Sequence, residues 1–139
     1  MMEELIRLLH DGNHSLVVAN NGIHAYDGRG VSDLYRLFNT EPDTLRAAQI
    51  ADKVVDKGAA ALMALAKVSD VYADVVSRPA LAMLEKYGVR VSYGTLADHI
   101  INRSGTGICP LEMRCMACQT AEECLTQIKS FIEEMTKNH

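Results

Sequence analysis

The stretch from Asp70 to Tyr93, DVYADVVS, RPALAMLEKYG and VRVSY in succession, constrains the fold more than any other part of the chain. A β-branched run of strand length, residues 70 to 77, hands over to a helix with Pro79 at its first position. Gly88 closes that helix before a second strand begins. A strand, helix, strand series this short closes as a right-handed crossover between parallel neighbours. The chain is therefore expected to hold a parallel strand pair with a helix laid across it.

The earlier segments add a hairpin and more helices. Met2 to His10 carries Leu5, Ile6, Leu8 and Leu9 at helical spacing, and Asp11-Gly12-Asn13 stops it. SLVVANNGIHAYDG holds two short apolar runs around Asn20-Asn21-Gly22, a strong hairpin signal. GRGVSDLYRLFN reads as a glycine turn opening into a helix that buries Val31, Leu34, Tyr35, Leu37 and Phe38. From Leu45 to Lys67 the chain is alanine-rich and helical over its second half, whereas QIADKVV reads equally as helix or as a short strand entering it. In the tail, Thr120 to Glu123 is a capping box ahead of an apolar stripe of Cys124, Ile128, Phe131, Ile132 and Met135. The expectation is one domain over residues 1–139, a three-layer α/β/α fold whose small mixed sheet combines an antiparallel hairpin with parallel strands.

With 139 residues, close to half of them apolar, the chain can bury a core without disulfide or metal staples, so stability does not require its four cysteines. A net charge of −4, no basic run, two Phe and no Trp argue against a nucleic-acid face. The opening MMEELIRLL is acidic where a secretory signal would be basic, and GAAALMALA is about half the length of a membrane span. A soluble cytoplasmic protein is expected, with its thiols reduced and with small molecules or protein partners as its company. Homo-oligomerisation is left open, and no cofactor is expected.

The order helix, hairpin, helix, strand, helix, strand, together with SRPALAMLEKYGV, is similar to the cytidine deaminase-like fold. In the zinc enzymes of that fold, Pro-Cys-x-x-Cys at one helix start supplies two ligands, and His-x-Glu or Cys-x-Glu at the preceding helix start supplies the third and a proton shuttle. Pro79 matches, but Ala80 and Met83 stand at the cysteine positions, ADKVVDK holds the earlier helix start, and neither His-x-Glu nor Cys-x-Glu occurs. The residues GRGV, ADKVVDKGAAALM, VSRPALAMLEKYGVRVSY and INRSGTGICPLE, in this order, resemble the DUF1893 family from roughly Leu5 to Ile132. That resemblance implies the deaminase-like fold without its zinc motif and carries no established reaction.

The candidate chemistry lies in three places. In GTGICPLEMRCMAC, Cys109 is followed by Pro110 and Glu112, which places the thiol at a helix N-cap with Glu112 at the capping-box position; Gly105 and Gly107 before it allow close backbone approach to a ligand. Asp52, Lys53, Asp56 and Lys57 repeat at four-residue spacing, either a solvated helix face or, as the resemblance implies, a helix start facing the pocket. Lys53 would there bind an anion or act as base or nucleophile, with Asp52 orienting it. Gly28-Arg29-Gly30 ahead of a helix is either a plain turn or an oxyanion contact, and Asn102-Arg103 offers a second one. Cys115, Cys118 and Cys124 lack the second knuckle and the histidines of a zinc site. Gathering them on one ion with Cys109 would need the final helix to fold back tightly after Gln119, so they are expected to be structural and no metal is expected. The histidines at 10, 14, 24, 99 and 139 show no ligand spacing and read as surface or hydrogen-bonded residues.

The leading expectation is a binding domain for a phosphate-bearing or nucleotide-like small molecule. Its site would combine Gly28, Arg29, Gly30, Asp52, Lys53, Lys57, Asn102, Arg103, Gly105, Gly107, Cys109 and Glu112. Two alternatives stand beside it: a cysteine-dependent transferase or hydrolase with Cys109 as nucleophile and Asp52 or Lys53 managing protons, and a protein-interaction scaffold.

Overall fold

The structure is a computed structural model that describes residues 1–137. The expected position of His139 on the surface lies outside the described residues. In chain order the elements are α1 (Met2–Asp11), β1 (Leu16–Ala19), β2 (Ile23–Tyr26), α2 (Ser32–Thr40), α3 (Pro42–Leu45), β3 (Gln49–Val55) and α4 (Lys57–Leu65). They continue with β4 (Asp70–Ser77), α5 (Arg78–Lys86), β5 (Arg90–Ala97), α6 (Pro110–Cys115) and α7 (Ala121–Lys137).

One five-stranded sheet has the order β2-β1-β3-β4-β5. β1 runs antiparallel to both β2 and β3, whereas β3, β4 and β5 are parallel. Leu16 is paired with Tyr26 on one side and Asp52 on the other, and Ile50 pairs with Val71. Among the described residues α1 alone covers one face: its Leu5 and Leu9, both fully buried, pack on Val17 and Ala51. Full burial of such a side chain contributes about 1.5–3 kcal/mol. His10 Nε2 donates to Asp74 Oδ1 at 2.7 Å, and Tyr72 donates to the same oxygen at 2.9 Å, which ties α1 to β4. All the other helices cover the opposite face.

α4 is the axis of that second layer. Residues Lys57 to Ala64 are all buried, because alanines on every side let α5, α6 and α7 approach a helix that has no polar face. Two sequence expectations change here. QIADKVV is strand, with Asp56 rather than Asp52 at the helix start, so the four-residue charge stacking expected of a helix is not formed. β5 runs past Tyr93 to Ala97; a Cβ on Gly94 would stand 3.0 Å from the Asp74 carbonyl oxygen, and this tight approach is why a glycine interrupts an otherwise β-prone stretch.

Candidate functional site

The starts of α4 and α5 meet beside the start of α6, and the residues there divide into a closed set and an open one. Asp56 caps α4 by accepting from the Ala59 amide at 2.7 Å, and Ser77 caps α5 by accepting from the Ala80 amide at 3.2 Å. Between the two helix starts lies Glu112, fully buried. One of its oxygens, Oε1, accepts from the Lys57 amide and from Ser77 Oγ, each at 2.8 Å, and Oε2 accepts from the Ile100 amide at 2.5 Å. Three donors from three separate segments satisfy the carboxylate, the condition on which a buried charge is tolerated. A capping box would have bonded Glu112 to the Cys109 amide, but that amide donates to the Ile100 carbonyl at 2.8 Å. Glu112 is thus a joint between elements rather than a cap, and both of its oxygens are turned to donors of the protein itself.

The open set lines a cavity of about 520 Å³, within the range typical of small-molecule sites. Its floor is apolar: Leu111 from α6 with Phe131, Ile132 and Met135 from α7. Arg114, ion-paired with Glu134, lies over the Phe131 ring at 5.4 Å and holds α6 against α7. Arg29 and Gly30 enter from the turn before α2, and Arg103 enters from the 102–107 loop, which is pinched at its base by the Ile101–Ile108 bridge. Asp56, Cys109, Ser32 and Thr136 are the remaining polar groups; the two hydroxyls donate to the carbonyls of Arg29 and Ile132, and Cys109 Sγ donates to Asp56 Oδ2 at 3.5 Å.

The electrostatics of this pair follow from its depth. Burial pushes the Asp56 carboxyl up to about 6; the Ala59 amide opposes the shift and the Glu112 charge adds to it. Cys109 does sit at the N-cap of α6, yet burial raises its thiol above the ordinary value. The Glu112 and Leu111 amides pull the other way, and the neighbouring Asp56 carboxylate raises it further. A protonated thiol against a carboxylate is the resting arrangement.

The structure brings together four of the residues singled out from the sequence, Arg29, Gly30, Arg103 and Cys109, and separates the others from them. Gly28 turns its amide to Asp33 Oδ2 at 2.7 Å, so that part of the glycine turn is already occupied by a carboxylate of the chain itself. Lys53 lies on β3 and donates to Asn13 Oδ1 at 2.7 Å. Asp52, also on β3, is pushed up to about 8, chiefly by burial, with Asp56 and Asp74 adding their charge; neither residue lines the cavity. Lys57 points away from the cavity, donating to the carbonyls of Met116 at 3.1 Å and Cys118 at 2.6 Å. Asn102 shapes its own loop through Thr106 and Ser104, and Gly105 and Gly107 are outside the lining. Asp56 and the apolar floor were missed as site residues. The pattern Asp56-Lys57-Gly58-Ala59 ahead of an alanine run is an N-cap signal that could have found the first. Among the histidines, His10 and His14 pair with Asp74 and Asp27, and the buried His99 Nδ1 has no partner among the described residues.

Among the described residues no group of three His, Cys, Asp or Glu side chains is spaced to hold a metal ion, and no helix is long and apolar enough to cross a membrane. None of the curated proteins matches the chain. A solved structure of a DUF1893 family protein from Thermotoga maritima superposes with a TM-score of 0.85 at 24% identity, covering 93% of this chain and 88% of that one, which is a likeness of fold. The family model described as a domain of unknown function, DUF1893, matches residues 4–132, nearly the whole length, and the chain belongs to that family.

Proposed function

We propose that the domain binds a small anionic molecule with an apolar body, phosphate-bearing or nucleotide-like, in the cavity between the start of α2, the 102–107 loop and α7. The observation that carries this reading is the placing of two guanidinium groups from distant segments, Arg29 and Arg103, around a floor of Leu111, Phe131 and Ile132. Guanidinium forks suit phosphate and carboxylate oxygens, and the aromatic and aliphatic floor suits a base or a similar flat body. We read the fold as deaminase-like and the site as independent of zinc. Ala80 and Met83 at the start of α5 offer no thiolate, and the Glu112 carboxylate is already committed to the Lys57 amide, Ser77 and Ile100. With four free cysteines, the cytoplasm is the compartment that suits the chain. Calorimetric titration with a panel of nucleotides and sugar phosphates tests the proposal. Arg29→Ala and Arg103→Ala should each weaken binding roughly tenfold, about 1.4 kcal/mol. No binding across the panel, or binding unchanged in both variants, would remove it.

A second reading, a cysteine-dependent transferase or hydrolase, rests on the Cys109–Asp56 contact. Asp56, ionised above about 6, takes over the proton-accepting role expected of Asp52 or Lys53. Covalent capture of an electrophilic probe at Cys109 that is lost in Asp56→Asn would favour it over simple binding.

A further inference from the structure

The cavity that holds Arg29 and Arg103 also holds one carboxylate, and a ligand has to answer both signs of charge. Arg36, Arg46, Arg78, Arg90 and Arg114 each pair with a carboxylate of the chain, whereas among the described residues Arg29 and Arg103 pair with none. Their guanidinium groups can only donate. Asp56, 7% exposed, can only accept once it is ionised. Its Oδ1 takes the Ala59 amide at 2.7 Å, and its Oδ2 has only the weak thiol donor of Cys109 at 3.5 Å. The two hydroxyls of the lining add to the accepting side. Ser32 Oγ gives its proton to the Arg29 carbonyl and Thr136 Oγ1 gives its own to the Ile132 carbonyl, so each turns only lone pairs to a ligand.

A buried carboxylate short of donors stays costly until something supplies them. Burial holds the Asp56 carboxyl at about 6, above the ordinary value, yet leaves it ionised at neutral pH. The ligand groups that complement it are N–H donors, and two side by side suit a carboxylate best, as in its bidentate pairs with guanidinium. Both oxygens keep a free lone pair for such an approach. Among the common nucleobases, guanine alone presents a ring N–H beside an amino group on its pairing edge. Adenine and cytosine set a ring-nitrogen lone pair beside the amino group, and uracil flanks its N–H with two carbonyl oxygens. Those lone pairs would be set against the carboxylate and repelled by it. A volume of about 520 Å³ admits a purine mononucleotide, with Leu111, Phe131 and Ile132 beneath the ring.

We propose that Asp56 determines the specificity of this cavity and that the ligand is a guanine nucleotide, its ring N–H and amino group donating to the Asp56 carboxylate and its phosphate held by Arg29 and Arg103. This assignment rests on the small-anion binding proposed for the same cavity and adds the identity of the base. The Cys109 thiol gives up its long contact with Oδ2 to the stronger N–H donors, and no covalent step is involved. The Ala59 amide keeps the carboxylate in place as the ligand comes and goes.

Calorimetric titration of the reduced full-length protein at neutral pH with 5′-GMP, IMP, AMP and XMP tests the contact base by base. AMP should bind roughly a hundredfold more weakly than GMP, and IMP, which lacks the amino group, roughly tenfold more weakly. Asp56→Asn keeps an oxygen for the Ala59 amide and should reverse the order. Its side-chain amide accepts from the ring N–H and donates to the second carbonyl of xanthine, so GMP should lose roughly tenfold and XMP gain roughly tenfold. If GMP binds no more tightly than AMP while Arg29→Ala weakens both, the guanine assignment is overturned and anion binding in the cavity stands. A preference for GMP that persists unchanged in Asp56→Asn would overturn the role of Asp56. If none of the four nucleotides binds to the wild type, the assignment and the binding it rests on fall together.

Discussion

Glu112 and Asp56 are both carboxylates withdrawn from water at the start of α4, and they stand in opposite circumstances. Glu112 is met by two backbone amides and a hydroxyl, and its charge is spent on joining α4, α5, α6 and the segment after β5. Asp56 has one good amide donor and, on its other oxygen, only a thiol at 3.5 Å, with a cavity beyond. Depth and charge are alike; what differs is the number and quality of donors. A buried carboxylate whose donors are complete holds structure, whereas one left short stays open to protons and ligands.

The largest test of that contrast is Glu112→Ala. It leaves the Lys57 and Ile100 amides and the Ser77 hydroxyl buried without an acceptor, and should cost about 3–5 kcal/mol in urea unfolding. Asp56→Ala, which mainly loses a cap, should cost only about 1 kcal/mol. Equal losses would break the contrast.

A second effect concerns pH. The folded Asp56 carboxyl titrates at about 6 against 3.8 for the ordinary group, so the folded state holds its proton more tightly than the unfolded state. Stability from this group is therefore fully present below about 4, falls as pH rises from about 4 to 6, and is level above that, with a drop on the order of 2–3 kcal/mol. The difference in unfolding free energy between the wild type and Asp56→Asn, measured from pH 4 to 7, should carry that slope. A difference that is flat with pH would mean that the folded state holds the Asp56 proton no more tightly than the unfolded chain does. Asp52, pushed up to about 8, should show the same sign over a longer range, from about 4 to 8, in Asp52→Asn.

The smallest effect is read on the thiol. Removing the Asp56 charge takes away one cause of the raised Cys109 value, so Asp56→Asn should speed iodoacetamide labelling of Cys109 at pH 8 by roughly three- to tenfold. Labelling that is unchanged would mean that burial alone governs the thiol.

Much of the architecture was legible along the chain because it is written in local periods. The hairpin around Asn20-Asn21-Gly22, the strand from Asp70 to Ser77 and the helix behind Thr120 each rest on neighbours a few residues apart. QIADKVV was ambiguous for the same reason. Its charges repeat at helical spacing while its valines favour a strand, and pairing with Leu16 and Ala73 decides the matter from outside the segment. The site was legible only in part. Arg29 and Arg103 announced themselves by chemistry next to glycines, but the donors of Glu112 lie 55, 35 and 12 residues away, and no spacing rule reaches them. The apolar floor shared its signal with ordinary packing: Phe131 and Ile132 continue the stripe that buries Cys124 and Ile128.

The position of Glu112 in the chain also sets an order of assembly. Every group that donates to it, at residues 57, 77 and 100, is synthesised earlier, and the carbonyls that hold the Lys57 ammonium, at residues 116 and 118, come later still. A nascent chain emerging from its N-terminus can complete β1 to β5 and still have two helix starts facing each other with no anion between them. The parallel half of the sheet then stays loose on the ribosome until α6 arrives. A chain stalled before residue 112 should be cut readily by protease within α4 and α5, and one released past α7 should not.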